Sequence, residues 1–260
     1  MRDFCVESTA IHEEYVREYN KNILPLAEKL NDVDFYCVTT HPDLVVKKDN
    51  IIPIDISVFT NDEFSKSYDH ESGFCNILQS TRYGLKAALD NGYVKVIHLH
   101  TDFTFVDKVT SDLLSQHFRP GIYFDMGGTT LHNTFKKCQK TKFLVKEYKM
   151  LPDIEKIGIG DDPVVLFKFK DIEQFQTFYN NLEEICEKTF EHQSFSTGLC
   201  AELVVAMHIT GVKSYYNYSS PAHSNLNKFF DVAHNHLHVE YYSDRDPDMK
   251  DLRKVNAQNI

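Results

Sequence analysis

Three residues with ligand chemistry fall close together in the segment VIHLHTDF: His98, His100 and Asp102. If the chain is extended there, positions i, i+2 and i+4 share one face. Imidazole and carboxylate are the groups that hold Mn, Zn or Fe. A buried strand has little other reason to collect them. The plainer alternative is a solvated strand end with one hydrogen-bonded His. The residues before the cluster supply the strand: Tyr93 to Leu99 is rich in β-branched and aromatic side chains. Before it, Ile77, Leu78, Tyr83, Leu85, Ala88 and Leu89 recur near helical spacing, and Asn91-Gly92 supplies the stop.

The rest of the first half repeats this alternation. Asp3 to Glu7 reads as a short strand, Ser8-Thr9 as an N-cap, and Ile11 to Leu30 as a long helix. Asp34 to Thr39 and Ile51 to Val58 read as two more strands, the second with Pro53 at a doubtful edge. Glu63 to Gly73 is a polar loop. Alternating strands and helices point to an α/β fold, with a mainly parallel mixed sheet and helices on both faces. Ligands of such sheets sit outside the carboxyl ends of the strands, where Thr9, Thr39, His41, Asp55 and Asp102 would gather.

The second half has a different texture. Val106 to Phe118 reads as a short helix, Gly121 to Asp125 as a strand entering Gly127-Gly128, and Lys142 to Met150 as another strand. Val164 to Phe169 is apolar, Asp171 to Lys188 is an amphipathic helix, and Leu199 to Ile209 is an apolar helix. Lys213 to Tyr218 is strand-like, and from Pro221 the chain is rich in His and Asn. Without repeats or a linker, residues 1–260 form one domain. We divide it into a first half (1–128), a second half (129–243) and a flexible tail (244–260).

Composition removes several classes. No apolar run approaches the ~20 residues that a membrane helix needs. Six scattered cysteines with no CxxC pair suggest reduced thiols and a cytoplasmic protein. The net charge of −10 argues against general coating of nucleic acid, though not against one basic patch. That patch exists: Lys136, Lys137, Lys140, Lys142, Lys146 and Lys149 lie close together, with Glu147 the one acid among them. Arg82, on the helix before the His strand, could reach a phosphate or a sugar, or simply make a surface ion pair.

The layout of RYGLKAALDNGYVKVIHLHTDF resembles the GT-A (Rossmann-like) class of nucleotide-sugar glycosyltransferases. In these enzymes an apolar strand closes in a DxD motif. Here the motif reads His100-Thr101-Asp102, so a His replaces the first acid, and the likeness covers about Asp3 to Gly128. The resemblance implies a nucleotide-diphospho-sugar donor and a Mn2+ or Mg2+ ion that neutralises the departing diphosphate. Asp102 and His100 would be metal ligands. A C-terminal His would complete the set, with His223 and His238 equal choices. Asp125 with Gly127-Gly128 would meet the transferred sugar. Glu202, near the start of a late helix, would be the general base, with Asp161 and Asp162 as rivals. The acceptor is open among glycans, small molecules and DNA. The lysine cluster, with Lys136, Lys137 and Lys140 in front, would seat DNA phosphates. In some bacteriophages GT-A-like enzymes modify hydroxymethylated bases of viral DNA.

Two other classes compete. A metal hydrolase would use His98-x-His100-x-Asp102, but Phe103 stands where a following His is expected. A non-catalytic nucleotide- or sugar-binding protein would bind without a metal. P-loop, GxSxG and GxGxxG motifs are all lacking.

Overall fold

A computed structural model of the chain describes residues 4–11, 13–57, 73–101, 103–106, 119–131, 135–136, 139–155, 158–189, 200–216 and 231–234. Its parallel half opens with strand β1 (Cys5–Ala10), helices α1 (Glu13–Asn22) and α2 (Leu24–Lys29), and strands β2 (Asp34–Thr39) and β3 (Ile51–Asp55). Helix α3 (Gly73–Asp90) and strand β4 (Lys95–Leu99) follow. The strand at the start is longer than the residue pattern suggests. Ser8 and Thr9 are paired with Cys37 and Val38, so they are strand residues and not an N-cap. The long helix expected over Ile11 to Leu30 is two helices. Pro25 lies in the first turn of α2, where its missing N–H costs nothing, but it cannot continue α1. Asn50 closes this unit, its buried amide donating to the carbonyls of Ala27, Leu30 and Val33 around the end of α2.

Strands β1, β2, β3 and β4 are mutually parallel in the order β3-β2-β1-β4. Pro53 is tolerated because β3 lies at the sheet edge. The strand order reverses at β1: the chain moves to one side for β2 and β3, then returns past β1 to β4. Right-handed crossovers in opposite directions put their helices on opposite faces. Accordingly Val6, Phe35, Cys37, Ile97 and Leu99 pack with α1 and α2, through Val16, Tyr19 and Ile23. Cys5, Tyr36 and Val96 face the other way, against Leu85, Ala88 and Leu89 of α3. Gly92, at φ +78°, ends α3 in the left-handed conformation as expected.

The second half adds β5 (Phe103–Val106), β6 (Gly121–Thr130), α4 (Gln139–Glu147), β7 (Gly158–Lys168), α5 (Ile172–Thr189), α6 (Cys200–Thr210), β8 (Ser214–Tyr216) and β9 (Asp231–His234). The sheet continues as β4-β7-β6-β8, with β7 antiparallel to both neighbours and β8 parallel to β6. The result is an α/β fold on a seven-stranded, mostly parallel mixed sheet with helices on both faces. The segment Lys142 to Met150, expected as a strand, lies mainly in helix α4. Thr141, Leu144 and Val145 are buried at helical spacing, against the core that includes Ala201 and Val204 of α6. Of the segment Val106 to Phe118, read as a helix, Val106 ends β5 and 107–118 lies outside the described residues. The polar loop at 63–72 and the tail at 244–260 are also outside them.

Candidate functional site

The strand order reverses between β1 and β4, and ligands of such sheets usually sit beyond the carboxyl ends of the strands at that point. The chain brings Thr9, Thr39, Asp55 and His100 to this edge, since Ala10 is in register with Thr39, and Thr39 with Asp55. Thr39 is buried and its Oγ1 accepts the His41 N–H at 3.0 Å, while Thr40 donates to the Ile11 carbonyl at 2.5 Å. These bonds shape the β2 turn and leave His41 half-buried beside it. Asp55 is exposed on the outermost strand, three strands from β4, or about 14 Å at ~4.8 Å per strand. Its Oδ1 accepts the Ser57 N–H at 2.8 Å, and the hydroxyl and N–H of Ser57 hold its carboxyl below the usual range. That is a local turn bond, remote from the His strand.

The chemistry nearest the reversal point centres on an acid that the residue pattern hides. Glu7, in the middle of β1, is fully buried, and its neighbour across the parallel ladder is His98. The two side chains meet at 2.5 Å between Glu7 Oε2 and His98 Nδ1. With Glu7 as a carboxylate, which only accepts, Nδ1 of His98 is the donor. Thr9 Oγ1 donates to the other oxygen of Glu7 at 3.1 Å. One pleat further out, the half-buried His100 ring meets that of His98 edge-on, with centroids 5.3 Å apart and planes at 85°. Thr9 and His100 thus stand at the rim of a polar cluster whose floor is Glu7 and His98. Helix α3 closes over it at Gly84, where an added Cβ would lie only 2.0 Å from Cγ of Glu7.

This placement separates the members of the HxHxD segment. His98 is committed to Glu7, with 4% of its side chain exposed. His100 is the member that reaches the rim. Asp102 lies outside the described residues, but the peptide leading to it is held: the buried Asn22 of α1 donates from Nδ2 to the Thr101 carbonyl at 2.9 Å. Among the described residues, no three His, Cys, Asp or Glu side chains are grouped to hold a metal ion. The described donor set for a hard divalent cation is therefore one imidazole, His100, at the rim. His223 and His238 also fall outside the described residues. Strand β9 does, however, bring the C-terminal segment to this edge. It pairs antiparallel with β5, setting His234 opposite Phe103, the residue after Asp102.

Beyond Leu99, which pairs with Val164, β6 and β7 continue together to the pair Thr130 and Gly158. Residues 158–163 of β7 thus carry a two-stranded ribbon about 20 Å past the end of β4. Asp125, Gly127, Gly128, Asp161 and Asp162 all lie on it. The register slips twice. Between the pairs Phe124–Val165 and Met126–Asp161 the extra residues are on β7, around Asp162-Pro163; between Gly127–Gly160 and Thr129–Ile159 the extra residue is Gly128. Proline lacks the ladder N–H and glycine accepts bulge geometry, so the sequence accounts for both slips.

Glu202 reaches the same end of the molecule by a different route. Lys168 of β7 pairs with Lys95, the first residue of β4, so α5 starts at the amino edge. Its 18 residues, at about 1.5 Å each, run some 27 Å back to the carboxyl edge. Thr189, its last residue, donates to Oε1 of Glu202 at 3.3 Å, from the first turn of α6. Glu202 is 3% exposed, so it is not a solvated acid on a polar helix face. Arg82 behaves otherwise. Its guanidinium lies 5.1 Å from the centre of the Tyr83 ring and donates to the Tyr83 hydroxyl at 3.2 Å. Tyr179 and Cys186 of α5 share its electrostatic surroundings, so it faces that helix and makes no surface ion pair among the described residues.

The lysine cluster is carried by α4 and its flanks. Lys136, Lys146 and Lys149 are exposed, Lys142 is half-buried, Lys140 lies in the helix, and Lys137 is outside the described residues. Among the described residues none of Lys136, Lys142, Lys146 and Lys149 is in an ion pair, whereas Lys21, Lys86, Lys170 and Lys188 each have an acidic partner. Glu147 of α4 pairs with Lys188 at 3.6 Å, next to Thr189, which sets the basic helix beside the Glu202 end of α5. Among the described residues no helix is long and apolar enough to cross a membrane. The chain matches no protein-family model, and no curated protein is significantly similar to it.

Proposed function

We propose that this chain is a metal-dependent glycosyltransferase of the GT-A kind, moving a sugar from a nucleotide-diphospho-sugar to a hydroxyl acceptor. The observation that carries the reading is the convergence at one sheet edge. His100 stands at the order reversal, the chain reaches Asp102 directly after it, and β9 returns a His-bearing segment opposite Phe103. His223 and His238, both outside the described residues, stay equal choices for the C-terminal ligand. A divalent ion there would supply charge neutralisation for the departing diphosphate. The protein groups have the remaining work. The β1 and β2 ends offer Thr9 and His41 for the nucleotide, with the buried Thr39 holding the His41 backbone. Gly127 and Gly128 let the ribbon backbone approach the sugar, with Asp125 to bind its hydroxyls. Glu202, shielded from water, takes the proton of the acceptor hydroxyl. Among the described residues Lys136, Lys142, Lys146 and Lys149 make no ion pair, and a DNA acceptor would fit this basic helix by charge.

A thermal-shift screen of nucleoside-diphospho-sugars with and without Mn2+ tests the reading, because a ligand that binds only the folded state raises Tm. The expected result is a Mn2+-dependent shift with one nucleoside. A shift that needs no metal would favour a non-catalytic binding protein, and a shift with Zn2+ alone would favour a hydrolase. For the acceptor, the Lys136→Ala/Lys137→Ala/Lys140→Ala variant should lower the salt slope of duplex DNA binding by about one unit per lost contact. A parent that ignores DNA at low salt excludes that acceptor.

A further inference from the structure

We infer that Glu7 and His98 are positioning residues that set the ring of His100, and that Gly84 is the opening in α3 that lets them do so. For the ligand that His100 would meet, this rests on the transferase reading; for the geometry it does not. A carboxyl group at the middle of a central strand is costly to bury unless its lone pairs are taken. Glu7 has His98 on one oxygen and Thr9 on the other. The Nδ1 contact fixes both the tautomer and the plane of the His98 ring. That ring in turn lies edge-on to His100 at 5.3 Å. His98 has little exposed surface, so it acts on a ligand only through its neighbour. The backbone just beyond β4 is held by α1, where Asn22 donates to the Thr101 carbonyl. His100 therefore lies between the end of β4 and a residue tied to α1, against a ring bonded to Glu7. Outer partners of this kind are worth about 10–100-fold in metal affinity where a ligand ring depends on them.

The test uses the full chain, labelled with 15N, and reads the imidazole nitrogens of His100 at one pH, with His100→Gln to assign them. In the parent the ring should report a single tautomer. In Glu7→Ala it should move toward averaged shifts, and Glu7→Gln, which keeps an acceptor oxygen for His98, should restore most of the parent pattern. Thr9→Val removes a single donor at nearly constant volume, so it gives an answer even if Glu7→Ala does not fold; an intermediate loss of ring order is expected. Parent-like His100 signals in the folded Glu7→Ala or in Thr9→Val would overturn the inference and leave the pair as core packing. Mn2+ binding by electron paramagnetic resonance separates the two levels of argument. Parent binding weakened about 10–100-fold in Glu7→Ala supports both. A parent that binds no Mn2+ removes the metal reading, and the ring-order result still decides the positioning role.

Discussion

Gly84→Ala is the sharpest perturbation of this molecule, because it adds one methyl group at the tightest point of the site. The new Cβ would sit 2.0 Å from Cγ, 2.7 Å from Cδ and 2.9 Å from Oε1 of Glu7. Carbon atoms in contact prefer roughly 3.5–4.0 Å, so α3 or Glu7 must give way by about 1.5 Å. Glu7 is poorly placed to move, being held at 2.5 Å by His98 and 3.1 Å by Thr9. Overpacking of this kind costs about 1–3 kcal/mol. If Glu7 is instead expelled from its partner, the broken buried pair costs roughly 3–5 kcal/mol. Against these stands a helix-propensity gain of about 1 kcal/mol for Ala over Gly. The net loss is about 0–2 kcal/mol if α3 yields and about 2–4 kcal/mol if Glu7 is expelled, the latter worth roughly 4–16 °C in Tm for a chain of this size. Urea unfolding followed by circular dichroism measures it. The decisive comparison is the same substitution in a Glu7→Ala background, where the obstructing atoms are gone. There the penalty should shrink or change sign, a coupling that a double-mutant cycle isolates. An effect of Gly84→Ala that is the same in the parent and in the Glu7→Ala background would refute the account of how α3 covers the cluster.

Three further outcomes follow from individual residues. Glu202→Gln should lower turnover by about 10²–10⁴-fold with donor affinity nearly intact, and unchanged turnover would move the base to Asp161 or Asp162 on the ribbon. Lys149 ends α4 at φ +54°, a conformation that glycine adopts with less strain, so Lys149→Gly should raise stability by up to about 1 kcal/mol in urea unfolding. Burial, and then the charge of Glu7, pushes up the Cys37 thiol, and burial likewise raises Cys5 and the Tyr19 phenol. These groups ionise in the unfolded chain before they do in the folded one. The contribution of the two thiols is therefore whole below about pH 8.5 and that of Tyr19 below about pH 10; each is lost above its threshold by up to about 1.4 kcal/mol per pH unit, and Cys37→Ala should flatten the alkaline fall.

The parts of the fold legible in the sequence are those whose signal is local. Asp34 to Thr39 is read at its true bounds because a continuous apolar run between polar turns has one interpretation. Helix α5 shows itself through Phe175, Phe178, Tyr179, Leu182, Ile185 and Cys186, all buried at helical spacing. Helix α4 is misread because Phe143, Val145 and the residues around them alternate for a few positions, which fits a strand equally well. What decides it is the distant α6, against which Leu144 and Val145 pack. Glu7 is missed for a related reason. In CVESTA three polar residues stand together, a pattern that reads as a strand ending at Glu7, although it runs to Ala10. The partners that make its burial tolerable, Gly84 and His98, are far away in sequence. The signal was present all the same: a period of two through Cys5, Glu7 and Thr9 is the rule that singled out His98 and His100.

That shared parity has a consequence for how core and site are joined. Cys5 and Val96 are in register and face α3 within the apolar core. The next residues on that face are Glu7 and His98, and beyond them Thr9 and His100. Along two strands the same face passes from apolar packing, through a closed carboxylate–imidazole pair, to half-exposed polar groups at the carboxyl edge. A buried acid at the middle level is tolerated because both its oxygens are occupied and α3 offers no side chain at Gly84. Rigidity at the rim then follows from packing beneath it. The carboxyl edge, where α/β sheets take their ligands, stands here on the most tightly closed part of the core, so substitutions at Glu7 and Gly84 should report on the chemistry of His100 as directly as changes at the rim itself.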